Sequence, residues 1–388
     1  LKPLQFAVFT AVERSLVAET VVVIIEEFLN NAFRKGELTV GLVAVRPIDG
    51  CGKLRRWYRA TISVPLPILN VNVYLADGDP PILVDCATMA EECRDGMLAA
   101  FDATGVRPEL LVITHFHPDH AGLAGWLENL WLENLGLSAA ASVGTIELMR
   151  YYSRGREQFE QTVRAFHSKH GTPEGAVEEI CNVADWSGLV SFPRHPVALE
   201  PGEYVAAGLM LVDAPGHCYG GACLWDEAEG VFLANDQVLS GITPHIGYEE
   251  RWTPEADPLR EYKHFLSRLR GFSFDQILPG HGEELTQWED EVQRIEAHHS
   301  LRERHLLDLA GDDIVTAYET ARRIFPGADS GIQLRLAITE AMAHLQYLVS
   351  EGLMERREED GIFVYKANAG VSALERDLAP CEVTRGNN

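Results

Sequence analysis

The chain has 388 residues, room for one large domain and a smaller one, and 46% of them are hydrophobic, as in ordinary globular proteins. A formal net charge of −25 repels phosphate backbones and anionic lipid, so composition argues against general nucleic-acid binding and against docking on acidic membranes. The seven cysteines are scattered and form no Cys-x-x-Cys pair, which excludes a disulfide framework and predicts a reduced, cytoplasmic protein.

In chain order, residues 11–34 suit a helix and 38–45 a strand, with no chemistry attached. The apolar run "LVAETVVVII" (16–25) is too short to span a bilayer and is interrupted by Glu19. From Trp57 onward, "YRATISVPLP" and "VNVYLADGDPPILVDCA" predict strands around a Gly-Asp-Pro-Pro turn. Residues 88–104 predict a helix and "ELLVIT" (109–114) a short buried strand. A polar, helix-prone stretch fills 123–187. Strands return at 208–215, 221–225 and 230–236. A helix is expected at 258–270, a strand at 274–280, and mostly helix over 286–350. "GLMERREEDGIFVYKA" closes as two strands and a turn.

The densest chemistry is "THFHPDHAG" (114–122), which places His115, His117, Asp119 and His120 directly after the buried strand. Pro118 predicts a loop there rather than a regular helix. Two histidines at i and i+2 on a strand end can turn toward one point, and Asp119 with His120 can reach a second point nearby. Imidazole nitrogen and carboxylate oxygen suit zinc, and also iron or manganese. "DAPGHCYGG", "FLANDQ" and "ILPGHGEEL" add His217, Asp236 and His281, each at the end of another apolar strand. A sheet scaffold aims such side chains into a shared mouth.

These motifs, in this order over roughly residues 57–285, resemble the metallo-β-lactamase superfamily in its glyoxalase II-like hydrolase branch. The resemblance implies an α+β fold, the αββα sandwich. It implies that His115, His117 and His217 hold one metal, that Asp119, His120 and His281 hold a second, and that Asp236 bridges the two. Asp85 matches the superfamily's strand-end aspartate that orients a ligand histidine. The sequence departs from the pattern twice: Asp-Thr-Gly is Asp85-Cys86-Ala87 here, and the glycine before the bridging aspartate is Asn235. Both departures bear on how closely the loops approach the metals.

Two divalent cations about 3.5–4 Å apart share one water and lower its pKa toward 7, so hydrolysis is the expected reaction. Zinc is the first expectation, with iron or manganese as alternatives, and Asp119 is the expected catalytic carboxylate. Nuclease relatives carry a large domain after the bridging aspartate; Asp236 and His281 stand too close in sequence to admit one. A small carbonyl substrate follows, a thioester first and a lactone or small phosphodiester otherwise. A nucleic-acid nuclease or binder and a mono-iron sulfur oxygenase are the readings from other classes.

The long gap between His120 and His217 predicts a helical lid, with Phe159, Val163 and Phe166 as an apolar stripe over an acyl chain or on the protein's own core. His245 and Tyr248, soon after Asp236, are candidate pocket residues, His245 as a donor to a developing oxyanion.

The expected domains are an N-terminal extension of unassigned role (1–50), a catalytic domain (51–285) with the lid at about 123–187, and a helical C-terminal module (286–388). That module resembles a winged helix. Acidic residues slightly outnumber basic ones between 321 and 366, so packing or a homodimer contact is expected there rather than DNA reading. The expected partner is a small-molecule substrate, with no nucleic acid and no membrane.

Overall fold

The computed structural model describes residues 42–132, 137–154, 156–183, 186–249, 255–311, 313–329 and 331–368. The expected helix at 11–34 and the start of the expected strand at 38–45 lie outside them.

Two mixed sheets stack face to face. The first has seven strands in chain order: β1 (Leu42–Pro47), β2 (Trp57–Ser63), β3 (Asn70–Ala76), β4 (Ile82–Val84), β5 (Leu110–Ile113), β6 (Ser138–Ser142) and β7 (Val197–Leu199). Pairing is antiparallel up to β4 and parallel from β4 to β7. The second sheet runs β12 (Gln276–Pro279), β11 (Val231–Asn235), β10 (Ala222–Asp226), β9 (Leu209–Asp213), β8 (Tyr204–Ala206). β4 and β5 read Ile-Leu-Val and Leu-Leu-Val-Ile without alternation because both faces of the central strands are covered.

Trp57, Tyr74, Val84, Val112, Leu224 and Leu233 fill the seam between the sheets. Helix α1 (Glu91–Thr104), the turn α2 (Pro118–Ala121), α3 (Ala124–Leu132) and α4 (Val143–Tyr152) cover the outer face of the first sheet through Met97, Ala121, Leu127 and Ile146. α7 (Pro258–Leu269) and α8 (Trp288–Ala310) cover the second through Leu266 and Ile295. Asp257 caps α7 by accepting the Arg260 backbone N–H at 3.1 Å, and Leu259, Tyr262, Phe265, Leu266 and Leu269 form its buried stripe. This is the αββα sandwich that the sequence implied.

Two local expectations need correction and one gains a place. The strand expected at 38–45 overlaps β1, the edge strand of the first sheet, and the Glu229 carboxylate accepts the backbone N–H groups of Gly52, Lys53, Leu54 and Arg55. The metal-motif loop contains one helical turn, α2, with Pro118 at its first position, where the missing N–H costs nothing. The stretch at 123–187 is scaffold in part: β6 pairs with β5 and β7 inside the main sheet.

The remainder of that stretch, α5 (Arg156–Lys169) and α6 (Glu174–Val183), is the addition. Val163 is fully buried, and Phe159 and Phe166 pack against the same cluster, so the apolar stripe lies on the protein's own core.

The small C-terminal domain holds α9 (Ala317–Ile324), α10 (Gly331–Ser350) and a sheet ordered β13 (Ile314–Val315), β15 (Ile362–Ala367), β14 (Met354–Glu359). A capping box between Thr316 and Glu319 starts α9. Leu334, Ile338, Ala341, Leu345 and Leu348 form an apolar stripe, all buried, on α10, which packs on α6, α7 and α9. Among the described residues no helix is long and apolar enough to cross a membrane.

Candidate metal centre

Five strand ends deliver the site. β5 runs into His115, His117 and the α2 turn bearing Asp119 and His120. β9 is followed by His217, β11 by Asp236, β12 by His281, and β4 by Asp85.

The side chains fall into two donor groups. In His115, His117 and His217, and again in Asp119, His120 and His281, one donor atom from each lies within 4.8 Å of the others. Asp236 stands between the groups. Its Oδ2 is 3.4 Å from His120 Nε2 and His281 Nε2, 3.7 Å from His217 Nε2 and 4.0 Å from His115 Nε2. All seven residues that the sequence singled out are thus brought together.

The imidazoles are held from behind. His281 Nδ1 donates to the Asn70 carbonyl oxygen at 2.6 Å, His217 Nδ1 to the His245 carbonyl oxygen at 2.8 Å, and His120 Nδ1 lies 2.7 Å from Asp85 Oδ2. Each leaves Nε2 facing the centre, the arrangement that fixes tautomer and ring direction for a cation. Asp85 also accepts from the Thr114 backbone N–H and hydroxyl, at 2.9 and 2.8 Å, which identifies it as a brace for His120.

At both departures from the superfamily pattern the backbone is left-handed. Ala87 (φ 61°) and Asn235 (φ 45°) keep the left-handed conformation that glycine supplies elsewhere. Asn235 also donates from Nδ2 to Asp85 Oδ2 at 3.0 Å, a bond glycine lacks. At Gly280 the glycine is required by space: a Cβ there would stand 2.2 Å from Asp236 Oδ1.

The donors fit a cation. His115 Nε2, His120 Nε2 and Asp236 Oδ1 are buried with no hydrogen-bond partner, which a neutral pocket does not tolerate without cost. His217 Nε2 and His117 Nδ1 converge to 3.1 Å. Burial and neighbouring imidazoles hold His115 and His117 well below the ordinary histidine pKa, leaving them as neutral donors.

In the second group burial acts the same way, but Asp236 and Asp119 outweigh it. They carry His120 well above the ordinary value and His281 to about 10. Burial raises the Asp119 carboxyl, but His120 and His281 hold it at about 2. A cation entering the second group must therefore displace a proton from His281 at neutral pH. Metal binding should release protons, and its affinity should rise with pH up to about 10. Calorimetric titration in two buffers of different ionisation enthalpy measures this; equal heats near pH 7 would contradict it.

Residues that sequence reasoning passed over complete the surroundings. Phe116 stacks on Tyr152 at 4.7 Å, Tyr152 on Trp186 at 5.5 Å, and Trp186 meets His117 edge-on at 5.9 Å. The Arg335 guanidinium lies 5.9 Å over Trp186. A lone tryptophan in the polar stretch "NVADWSGLV" was the available signal. Of the two candidate pocket residues, His245 turns its ring nitrogens toward Thr339 and Glu340, and Tyr248 is buried beside Phe166 and His170. Cys218, next to His217, is buried with its thiol against the Tyr219 carbonyl oxygen.

A sandwich with six clustered imidazole and carboxylate donors and an aspartate standing between them is the framework of a metallo-hydrolase. The chain belongs to the metallo-beta-lactamase superfamily, whose pattern matches residues 66–281, and that of a metallo-beta-lactamase-like C-terminal domain matches residues 304–368. Among relatives, it is 23% identical over 300 residues to the probable metallo-hydrolase YqjP of Bacillus subtilis, covering 75% of this chain and 91% of that one. It is 24% identical over 226 residues to the acyl-coenzyme A thioesterase MBLAC2 of Gallus gallus, covering 55% and 72%. Among solved structures, the metallo-beta-lactamase family protein TTHA1429 of Thermus thermophilus superposes with a TM-score of 0.69 at 29% identity, over 80% of this chain and 98% of that one.

Proposed function

We propose that the chain is a dinuclear metal hydrolase that cleaves a carbonyl ester, a thioester first. The observation that carries this reading is one carboxylate oxygen, Asp236 Oδ2, standing within 4.0 Å of imidazoles from both donor groups. Two divalent cations held there, zinc first and iron or manganese otherwise, would supply Lewis acidity that polarises a carbonyl oxygen and makes water acidic.

The chain's own residues do the rest. Asp119 is ionised at neutral pH, and its Oδ2 lies 3.4 Å from His281 Nε2, so it stands where a carboxylate orients an attacking water by accepting its hydrogen bond. Trp186 and Tyr152, both half-buried, offer an aromatic shelf beside His117 for the apolar part of an acyl group. The relative named as an acyl-coenzyme A thioesterase supports the thioester preference. The winged-helix-like module is read as a packing element, because α10 is buried along most of its length and the chain is strongly acidic.

Metal-loaded protein tested on a panel of thioesters, lactones and phosphodiesters decides the bond. Fastest turnover of a phosphodiester, or one iron per chain with sulfur oxidation, would replace this reading. Trp186→Ala should raise KM for a long-chain thioester about tenfold, roughly 1.4 kcal/mol, and leave a short-chain one nearly unchanged. Equal effects on both would remove the shelf from substrate binding.

A further inference from the structure

Every donor atom comes from the sandwich, yet the loop that braces one imidazole is itself held by the C-terminal domain. His217 leans on the backbone carbonyl oxygen of His245, and the loop carrying that carbonyl is clipped to α10 of the C-terminal domain. His245 Nε2 lies 3.2 Å from Thr339 Oγ1, and His245 Nδ1 lies 3.6 Å from Glu340 Oε2. Two residues beyond Ile246, the Tyr248 backbone N–H donates to the Thr339 carbonyl oxygen at 2.9 Å.

The junction has no slack. A Cβ at Gly247 would stand 2.6 Å from His245 Nε2 and 3.2 Å from Thr339 Oγ1. Thr339 is itself fully buried, and its hydroxyl donates to the Arg335 carbonyl oxygen at 3.0 Å, which leaves the oxygen lone pairs for His245. His281 rests on Asn70 and His120 on Asp85, both inside the sandwich, so among these three braced imidazoles of the described residues it is His217 whose brace leads to α10.

We propose that Thr339 and Glu340 are positioning residues for the metal ligand His217, acting through His245, so that the C-terminal domain completes one of the two metal sites. The proposal rests on the dinuclear reading above. An imidazole's aim is set by the partner of its other nitrogen, and losing such a partner typically costs about 10–100-fold in metal affinity. A carbonyl that drifts because its loop is no longer clipped has the same consequence as a lost partner.

The test uses the full chain, stripped of metal and equilibrated with cobalt(II) at fixed free concentration. Bound cobalt per chain is measured together with its visible absorption. The unmodified chain should hold two ions. Thr339→Val and Glu340→Ala should hold one at free cobalt that saturates the unmodified chain, the second returning only at about 10–100-fold higher concentration. Thr339→Ser, which keeps the hydroxyl, should restore both. Melting of metal-free Thr339→Val, followed by circular dichroism, should stay within a few degrees of the parent; Glu340→Ala also strips a counter-charge from Arg302 and should melt lower, so it is judged by its bound cobalt. Retention of both ions in Thr339→Val and Glu340→Ala, or loss of both together, overturns the proposal. An unmodified chain that binds fewer than two ions refutes instead the dinuclear reading beneath it.

Discussion

Asp236→Asn should leave the protein folded, abolish stable metal binding and lower turnover by about 10³-fold or more, roughly 4 kcal/mol of barrier. The substitution keeps the shape of the side chain and exchanges an anion for an amide at the point where both donor groups meet. Burial opposes ionisation of this carboxyl, but His281 and His120 outweigh it and hold the group well below the ordinary range. In the dinuclear reading proposed above, it would be the charge that compensates the two cations. An amide there offers one neutral oxygen and turns two N–H donors toward imidazole nitrogens that need a cation or a proton.

The effect is separable from unfolding. Metal that binds only the native state stabilises it by about 4 kcal/mol at a thousandfold excess over Kd. Added zinc should raise the melting temperature of the parent and leave that of Asp236→Asn unmoved. A variant that keeps two ions and turns over within tenfold of the parent would remove Asp236 from the bridging position.

The candidate centre was legible in the sequence because its donors are chemically unusual and locally punctuated. His115, His217, Asp236 and His281 each follow a short apolar strand, and apolar strand ends are visible without coordinates. What stayed hidden has little local signal. β6 reads Ser-Ala-Ala-Ala-Ser, which carries no β preference; its pairing with β5 and β7 decides its state. Pro118 announced a break, but a proline at the first position of a helix is a start, not a stop. Asn235 reads in the sequence as a weakened glycine; in the fold its side chain holds Asp85. His245 was legible only as a histidine near the site. That it works through its carbonyl, and that its ring answers to Thr339 and Glu340 on a helix far along the chain, belongs to tertiary packing alone.

Asp85→Ala should destabilise the metal-free protein itself by about 3–5 kcal/mol, the cost typical of breaking a buried charged network. Asp85 is 1% exposed and is the common acceptor of Thr114, His120 and Asn235. Alanine strips the partner from all of these at once, and each orphaned buried donor costs about 1–3 kcal/mol before water fills in. The backbone adds to the loss: residue 85 sits at φ 59°, where aspartate and asparagine are tolerated better than alanine.

Asp85→Asn should be milder in stability, since shape and part of the bonding survive. Yet it presents an amide to His120 Nδ1 and should weaken metal binding about 10–100-fold. The two aspartates thus separate by what moves. Losing Asp236 removes the part of the stability that depends on metal, whereas losing Asp85 lowers the melting temperature with no metal present. Thermal melts of apo and zinc-loaded protein for both variants decide it; an apo Asp85→Ala protein melting within about two degrees of the parent would mean that the network is not what holds β4, β5 and β11 in register at the site.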